Sequence, residues 1–314
     1  RSTLFPYTTL FRSRTGPFNF PHELEIYQST RPEEIAGRIA DADIVVTNKV
    51  PFTAETIAAA PKLRFIAVAA TGYDVIDLKA CAARGVKVSN IRGYAMTTVP
   101  EHTFALILAL RRNILAYRQS VVDGAWTRAN QFCYFDYPVN DLAGSTLGII
   151  GDGVLGQAVA NIARAFGMKV LYSTYKGVEG MGPLYTPFEE LLRVSDVITL
   201  HAPLMPSTRN LIGDAEFALM ERRPVVINTA RGGLVDEEAL ARALESGKIS
   251  GAGFDVATKE PPPADHPLMK LLAFPNFILT PHVAWSSREA ITTLAAQVTE
   301  NIELFMRGTP QNLV

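Results

Sequence analysis

Three side chains that can bind anions or move protons, Arg231, Glu260 and His282, each follow a short apolar run in the second half of the chain. Short continuous apolar runs are typical of strands covered on both faces of a parallel sheet. Ligands of such sheets bind outside the carboxyl ends of the strands, so we expect the three side chains to converge near one bound molecule. A guanidinium binds anions, and an imidazole beside a carboxylate can transfer protons. Each residue alone would also suit a solvated loop, so the prediction depends on their joint placement.

A glycine-rich turn precedes these residues and predicts what the bound molecule is. Gly151, Gly153 and Gly156 stand between the apolar run 147–150 and the segment 157–166, where apolar residues recur at helical spacing. In a dinucleotide-binding unit the first glycine permits the turn, the second lets the backbone approach a pyrophosphate, and the third packs the helix on the strand. The helix N-terminus then faces the anion. Because this spacing also occurs in ordinary turns, the flanking strand and helix are what favour a nucleotide site.

The residues after the next predicted strand leave the choice of nucleotide open. An NAD site usually has Asp or Glu roughly 20 residues beyond the first glycine, where it binds the adenosine ribose. Here the run 169–172 is followed by Ser173, Thr174, Tyr175 and Lys176. Hydroxyls and a cation could bind the 2′-phosphate of NADP, although an exposed loop lysine is an equally simple interpretation of Lys176. NAD(H) and NADP(H) are therefore both candidates.

Composition argues against several other classes of protein. The 314 residues are 48% hydrophobic and 19% charged, as in a globular protein large enough for two domains. A formal net charge of −1 and a pI near 6.6 give no general attraction to nucleic acid or to an anionic membrane. Cys81 and Cys133 form neither a disulfide framework nor a metal cluster, which predicts a cytoplasmic protein without a metal. The most apolar run, 104–110, is far shorter than the ~20 residues that span a bilayer.

Strand and helix patterns alternate along the chain, which predicts an α/β protein with two doubly wound parallel-sheet domains. Residues 14–98 and a closing helix within 285–314 form the first domain, and residues 99–284 form the dinucleotide-binding domain. Thr53 and Asp236 are predicted helix N-caps. Residues 1–13 have no initiating Met and resemble translated adaptor sequence, so we expect them to lie outside the fold and the native N-terminus to be missing.

The longest helical pattern runs from Glu101 to about Val122 and is more apolar than a surface helix should be. A helix that is apolar on most of its circumference is buried or forms an oligomer contact, so we predict a homodimer. The aromatic-rich segment 131–138 that follows is predicted to be an irregular arm across a partner or a domain.

Five segments together resemble the D-isomer-specific 2-hydroxyacid dehydrogenases, and the resemblance extends from Glu23 to Val314. They are the cofactor turn 151–156, the loop 201–208, the Arg-containing segment 228–232, the Asp- and Glu-containing segment 251–261 and the Pro-His segment 281–284. Asp152 is an unusual residue for the position between the first two glycines of the turn. The resemblance implies a Rossmann-type cofactor domain inserted into a flavodoxin-like substrate domain. It also implies that residues 1–13 replace the first strand of the substrate domain.

The implied reaction is hydride transfer between nicotinamide and C2 of a small D-2-hydroxy or 2-keto acid. His282 would be the general acid/base, Glu260 would stabilise its imidazolium and fix its tautomer, and Arg231 would bind the substrate carboxylate. The implied cofactor-binding residues are Thr98, Gly151, Gly153, Val154, Leu155, Gly156, Ser173, Thr174, His201, Ala202, Pro203, Thr208, Thr229, Ala230 and Asp255. The implied substrate-binding residues are Val50, Thr71, Gly72, Tyr73, Arg231, His282 and Trp285.

Segment 132–138 and Trp285 resemble the branch of the family that interconverts hydroxypyruvate and D-glycerate. Glu260 argues against a formate dehydrogenase, which has Gln at this position. Glyoxylate or D-lactate is the nearest alternative substrate within the family. A different class of function, an NAD(H)-sensing binding protein or corepressor, is disfavoured by the lack of an added tail or basic patch.

Overall fold

The computed structural model describes residues 2–4 and 18–314, and the chain divides into two compact units. Unit 1 comprises Arg1–Ala95 and Ser286–Val314, and unit 2 comprises Met96–Trp285. The sequence predicts domain boundaries after residues 98 and 284. Each lies within three residues of the corresponding boundary between the two units.

Unit 1 contains a five-stranded parallel sheet with the strand order β2-β1-β3-β4-β5. This is the strand order of flavodoxin-like folds, so the predicted architecture of the first domain is confirmed. The strands are β1 (Ser2–Leu4), β2 (Leu24–Ile26), β3 (Ile44–Thr47), β4 (Phe65–Val68) and β5 (Lys87–Ser89). Strands β3 and β4 are buried along their whole length, as expected for strands that are covered on both faces.

The expectation that residues 1–13 lie outside the fold is wrong for residues 2–4, because they form strand β1. Ser2 is paired with Leu24 of β2 and with Ile44 of β3, so the segment fills the slot between these two strands. Parallel pairing is made by backbone N–H and C=O groups, and almost any short extended segment can therefore occupy such a slot. The remaining residues of 1–13 lie outside the described part of the chain.

Short helices connect the strands of unit 1. A 3₁₀ turn (Pro32–Glu34) leads into α1 (Ile35–Ile39), and α2 (Ala54–Ala58) and α3 (Leu78–Ala83) follow. Thr53 caps α2, as predicted, by accepting a hydrogen bond from Thr56 N at 3.3 Å.

Unit 2 begins with α4 (Thr98–Arg111), α5 (Ile114–Val122) and α6 (Ala125–Ala129). The prediction of one helix from Glu101 to Val122 is wrong, because Asn113 adopts a left-handed conformation with φ +49° and separates α4 from α5. Asparagine tolerates this conformation better than most residues. The segment 131–138 is irregular, as expected, and folds onto α5 through a hydrogen bond from Tyr117 Oη to Tyr137 O at 2.7 Å.

The second sheet has seven parallel strands in the order β12-β11-β10-β9-β6-β7-β8. Counted from β6 as the first strand, this order contains 3-2-1-4-5-6, the Rossmann arrangement, which confirms the predicted fold of the cofactor domain. The strands are β6 (Thr146–Ile150), β7 (Lys169–Ser173), β8 (Tyr185–Thr186), β9 (Val197–Leu200), β10 (Val225–Asn228), β11 (Gly251–Phe254) and β12 (Phe277–Leu279).

The helices that connect these strands are α7 (Val154–Ala165), α8 (Phe188–Val194), α9 (Asp214–Leu219), α10 (Glu237–Glu245) and α11 (Pro267–Leu271). Asp236 caps α10, as predicted, by accepting from the backbone N–H groups of Glu238 and Ala239 at 3.0 Å each. Helix α12 (Arg288–Met306) returns the chain to unit 1. Within the described residues, no helix combines the length and apolar character needed to cross a membrane.

Candidate active site

The glycine turn and the loop after β9 meet at the point where the strand order of the second sheet reverses. The turn follows β6, the loop begins at His201, and β6 and β9 are neighbours. His201 N donates to Ile150 O at 2.7 Å. Gly151 has φ +103°, and a Cβ at this position would lie 2.6 Å from the backbone carbon of His201. Two of the predicted cofactor segments are thus in backbone contact, and only glycine fits between them.

The geometry of the turn suits a pyrophosphate. Gly153 is the N-cap of α7, and a Cβ added there would meet none of the described atoms within 4 Å. At Gly156, by contrast, a Cβ would overlap the carbonyl oxygen of Gly151. The first and third glycines therefore pack backbone against backbone, while the second faces open space at the helix N-terminus, together with the first-turn residues Val154 and Leu155. These residues fit the dinucleotide that the sequence predicts.

The hydroxyl groups at the end of β7 are turned into the protein. Ser173 and Thr174 are only 6% and 7% exposed. Ser173 Oγ donates to Thr174 O at 2.6 Å, and Thr174 Oγ1 accepts from Phe188 N at 3.1 Å. Lys176 Nζ forms an ion pair with Glu216 Oε1 at 2.6 Å. The two hydroxyl groups and the lysine ammonium, which made NADP a candidate ligand, are thus bound by other protein groups.

The loop after β9 contains a neutral histidine. Burial lowers the pKa of His201 to about 4, so the ring carries no charge at neutral pH. Its Nε2 lies 3.0 Å from Thr199 Oγ1, and its buried Nδ1 has no hydrogen-bond partner among the described residues. Thr208 closes the loop, which also contains Ala202, because its hydroxyl donates to Pro203 O at 2.7 Å.

The turn after β10 is organised by the side chain of Asn228. Its Oδ1 accepts from Ala230 N at 3.1 Å and its Nδ2 donates to Arg231 O at 2.9 Å. Arg231 Nη1 in turn donates to Ala230 O at 2.8 Å. Thr229 is buried, and its hydroxyl lies 3.0 Å from that of Thr103. The backbone that carries Arg231 is therefore fixed by side-chain hydrogen bonds.

Gly232 joins the loop of Arg231 to the loop of Glu260. A Cβ at Gly232 would overlap the carbonyl group of Ala257, three residues before Glu260. Glu260 Oε1 accepts from Ala257 N at 3.1 Å. The two loops are thus packed backbone against backbone, and the carboxylate of Glu260 is anchored to that contact.

His282 and Glu260, the predicted acid/base pair, are in direct contact. His282 Nδ1 lies 2.7 Å from Glu260 Oε2, and the two side chains are 26% and 33% exposed. A carboxylate can only accept, so Nδ1 carries the proton and Nε2 is the ring nitrogen that can exchange a proton with a substrate. His282 adopts a left-handed backbone conformation with φ +53°, which is uncommon for a residue with a Cβ and must be held by its surroundings.

Asp255 holds the turn on which His282 lies. Its side chain is 1% exposed, and its carboxylate accepts from Val283 N at 2.9 Å and from Ala284 N at 2.8 Å. Thr280 Oγ1 donates to Asp255 Oδ1 at 2.5 Å. Both sides of His282 are therefore tied to one buried carboxylate. These hydrogen bonds hold the turn around His282, and the contact of Asp255 with the cofactor that the resemblance implies stays a prediction.

Two residues of α4 reach the same turn. Thr98 Oγ1 donates to Ala284 O at 3.0 Å, and His102 Nε2 lies 3.0 Å from Thr280 Oγ1. The hydroxyl proton of Thr280 is donated to Asp255, so His102 must be the donor in this pair. The sequence did not indicate His102, because its contact depends on how α4 packs across the sheet. Trp285 directly follows this turn and is the last residue of unit 2.

A buried polar cluster that the sequence did not indicate fixes the loop of Glu260. Glu237 accepts from Thr258 N at 2.8 Å and from Thr258 Oγ1 at 2.6 Å. His266 Nε2 lies 3.1 Å from the same carboxylate, and the side chains of Glu237 and His266 are 6% and 7% exposed. In the sequence Glu237 is an ordinary acidic residue in the first turn of a helix. No local signal distinguishes it, since its partners come from the next loop.

The substrate-binding residues predicted in unit 1 follow the carboxyl ends of its strands. Val50 follows β3, and its carbonyl accepts from Thr47 Oγ1 at 3.2 Å. Thr71, Gly72 and Tyr73 follow β4; Thr71 Oγ1 donates to Ile91 O at 2.9 Å, and Asn90 Nδ2 donates to Thr71 O at 2.8 Å. Both loops are therefore held to their own unit by side-chain hydrogen bonds.

Comparisons with known proteins agree with this geometry. The family model for the NAD-binding domain of D-isomer specific 2-hydroxyacid dehydrogenases matches residues 104–284. A glycerate dehydrogenase from Methylorubrum extorquens is 53% identical over 298 residues, which are 95% of this chain and 93% of that protein. The chain belongs to the D-isomer specific 2-hydroxyacid dehydrogenases. A hydroxypyruvate reductase from Blautia hydrogenotrophica is 40% identical over 91% of this chain and 88% of its own length.

A solved structure of a D-lactate dehydrogenase from Aquifex aeolicus, complexed with NAD and lactic acid, is also similar to this chain. Its TM-score is 0.81 at 29% identity, and the match covers 99% of this chain and 98% of that one. This D-2-hydroxyacid dehydrogenase is therefore an oxidoreductase with a nicotinamide-binding Rossmann domain, and the enzyme interpretation of the sequence is confirmed. Among the described residues of this dehydrogenase, no group of three or more His, Cys, Asp or Glu side chains is arranged to hold a metal ion.

Proposed function

We propose that the protein reduces hydroxypyruvate to D-glycerate and catalyses the reverse oxidation. The observation that supports this most directly is the His282–Glu260 pair, whose geometry leaves Nε2 of His282 for the substrate oxygen. The identity to a glycerate dehydrogenase and a hydroxypyruvate reductase supports the choice of substrate.

In the direction of reduction, protonated His282 gives the proton on Nε2 to the carbonyl oxygen at C2 of the substrate. In oxidation, the neutral ring removes the hydroxyl proton from the same oxygen. A bound nicotinamide supplies the hydride in the first case and accepts it in the second. Glu260 stabilises the imidazolium and keeps the ring in one tautomer. Arg231 binds the substrate carboxylate through two parallel hydrogen bonds and polarises the keto oxygen.

The binding residues form two groups, one for the cofactor and one for the substrate. Gly151, Gly153, Val154, Leu155 and Gly156 bind the pyrophosphate. Thr98, His201, Ala202, Pro203, Thr208, Thr229, Ala230 and Asp255 surround or position the rest of the cofactor. Val50, the backbone N–H groups of Thr71, Gly72 and Tyr73, and Trp285 contact the substrate. The open face of Gly153 supports the first assignment. Loops held at the carboxyl ends of β3 and β4 support the second.

The substrate is tested by steady-state kinetics with hydroxypyruvate, glyoxylate and pyruvate, followed through the absorbance of the reduced nicotinamide. We expect the highest kcat/KM with hydroxypyruvate. A higher value with glyoxylate or pyruvate would assign the protein to a different branch of the family. Failure to oxidise reduced nicotinamide with any 2-keto acid would contradict the enzymatic role and favour an NAD(H)-sensing protein.

We also propose that the protein is a cytoplasmic homodimer. Phe132 and Phe135 are 93% and 86% exposed, and α5 also exposes apolar side chains, among them Val122 at 63%. An apolar surface of this kind is typical of a subunit contact. A mass in solution equal to one chain would contradict the dimer.

The free thiols of Cys81 and Cys133 support a reducing compartment, which fractionation of the source cells would test.

A further inference from the structure

Asp152, the unusual residue within the glycine turn, is held in place by a residue two strands away. Its Oδ2 accepts a hydrogen bond from Tyr185 Oη, and its carbonyl accepts from Gln157 Nε2 at 2.9 Å. The hydrogen bond to Asp152 raises the pKa of Tyr185, so the phenol keeps its proton and remains the donor. The carboxylate therefore has a fixed position.

That position lies across the carboxyl end of β7. Asp152 follows β6, Tyr185 lies on β8, and β7 is paired with both strands. In a Rossmann unit the end of this middle strand is where an acidic residue meets the adenosine ribose. The chain has no acid at the end of β7 itself, where Ser173 and Thr174 stand. Asp152 brings a carboxylate there from the neighbouring turn.

The other groups near this strand end give little support to a 2′-phosphate. The hydroxyls of Ser173 and Thr174 are buried in hydrogen bonds with protein groups. The charge of Lys176 is balanced by Glu216, which is 10% exposed and also accepts from Gly213 N at 2.9 Å. A carboxylate accepts a hydrogen bond from a ribose hydroxyl but repels a phosphate of about two negative charges.

We propose that Asp152, positioned by Tyr185, recognises the free 2′-hydroxyl of the adenosine ribose and makes NAD(H) the preferred cofactor over NADP(H). Glu216 contributes by neutralising the one lysine that follows β7. This inference rests on the proposed binding of a nicotinamide dinucleotide at the glycine turn.

The test measures dissociation constants rather than turnover. NADH and NADPH are titrated into the wild-type protein by fluorescence, and AMP and adenosine 2′,5′-bisphosphate by calorimetry. We expect wild type to bind NADH at least about ten-fold more tightly than NADPH, which corresponds to ~1.4 kcal/mol. The Asp152→Ser variant should lose this preference by weakening NADH binding and strengthening NADPH binding. Tyr185→Phe should shift the ratio in the same direction by a smaller factor.

Two further variants separate a local effect from a general change in charge. Glu216→Gln releases Lys176 and should strengthen the binding of NADPH and of adenosine 2′,5′-bisphosphate. Glu190→Gln removes an exposed carboxylate of α8 and should leave the ratio unchanged. If Asp152→Ser does not fold, Tyr185→Phe and Glu216→Gln still decide the question.

The possible results distinguish this inference from the proposed function. Binding of both dinucleotides by wild type with equal affinity, or an unchanged ratio in Asp152→Ser and Tyr185→Phe, would overturn the inference alone. Binding of neither dinucleotide by wild type would overturn the proposed cofactor site and the inference together.

Discussion

His282 Nδ1 donates a hydrogen bond to Glu260 Oε2 over 2.7 Å, although the two residues are 22 positions apart in the sequence. Glu260 is anchored through Ala257 N, and His282 lies on a turn that Asp255 holds from both sides. The pair is thus oriented by hydrogen bonds from two residues, Asp255 and Ala257, that closely follow β11. Substitutions of Glu260 or His282 should therefore lower turnover directly. A substitution of Asp255 should lower it through the stability of the turn.

Replacing Glu260 by Gln should lower kcat for hydroxypyruvate reduction by on the order of 10²-fold, because an amide cannot stabilise the imidazolium as a carboxylate does. The dissociation constant of NADH should stay within about two-fold of wild type, since Glu260 is not a cofactor ligand in this account. Steady-state kinetics and fluorescence titration measure the two effects. Glu245→Gln, at an exposed helix position, is the control for loss of one negative charge. Wild-type turnover in Glu260→Gln would contradict the acid/base pair.

Replacing Asp255 by Asn should destabilise the turn around His282. One amide oxygen would have to accept hydrogen bonds that two carboxylate oxygens now accept, and the new NH₂ group would face backbone donors. We expect the free energy of unfolding to fall by about 1–3 kcal/mol, together with a lower kcat. Urea denaturation and steady-state kinetics check the two parts. Thr280→Ser, which keeps the donor to Asp255, should behave like wild type. Equal losses in both variants would contradict the role of the Asp255 carboxylate in holding the turn.

Two glycines of the same turn should respond differently to an added methyl group, one through stability and the other through cofactor binding. Gly151→Ala places a Cβ 2.6 Å from His201 at φ +103°, so we expect the free energy of unfolding to drop by about 3 kcal/mol or more. Gly153→Ala meets open space among the described residues and should change stability by less than about 1 kcal/mol. It should nevertheless weaken NADH binding at least about ten-fold, because the methyl group occupies the place of the pyrophosphate. Unchanged NADH affinity in Gly153→Ala would place the pyrophosphate elsewhere.

The low pKa of His201 should make the protein less stable in mild acid. Its pKa falls from an ordinary 6.5 to about 4 on folding, so between these values the unfolded chain binds a proton that the folded chain does not. The contribution of the neutral ring is complete above pH 6.5 and decreases as the pH falls towards 4. Between pH 7 and pH 5, wild type should lose up to about 2 kcal/mol more unfolding free energy than His201→Gln. Urea denaturation at both pH values tests this, and equal losses in the two proteins would contradict the assignment.

The sequence predicted the parts of the site that follow from local pattern. The glycine spacing identified the turn between β6 and α7, and each of Arg231, Glu260 and His282 was identifiable because it follows an apolar strand. The strand orders that define the Rossmann and flavodoxin-like sheets agree with the alternation of strands and helices. These features depend on neighbouring residues, which a single sequence displays directly.

What the sequence could not show depends on contacts between distant segments. The hydrogen bonds of Asp255 to residues 280–284, of Glu237 to Thr258 and of Tyr185 to Asp152 link residues that are 21 or more positions apart. The break at Asn113 also escaped prediction, because the apolar pattern continues through it and only the left-handed backbone ends the helix. Strand β1 was not predicted either, because its place is set by the two strands that flank it.

The measurement that tests the account most directly is the single-turnover rate of hydroxypyruvate reduction by His282→Asn with NADH already bound. Asparagine cannot deliver the proton, so we expect a rate at least on the order of 10²-fold below that of wild type, with the dissociation constant of NADH unchanged. A variant that reduces hydroxypyruvate at the wild-type rate would contradict the central claim that His282, oriented by Glu260, is the acid that protonates the substrate.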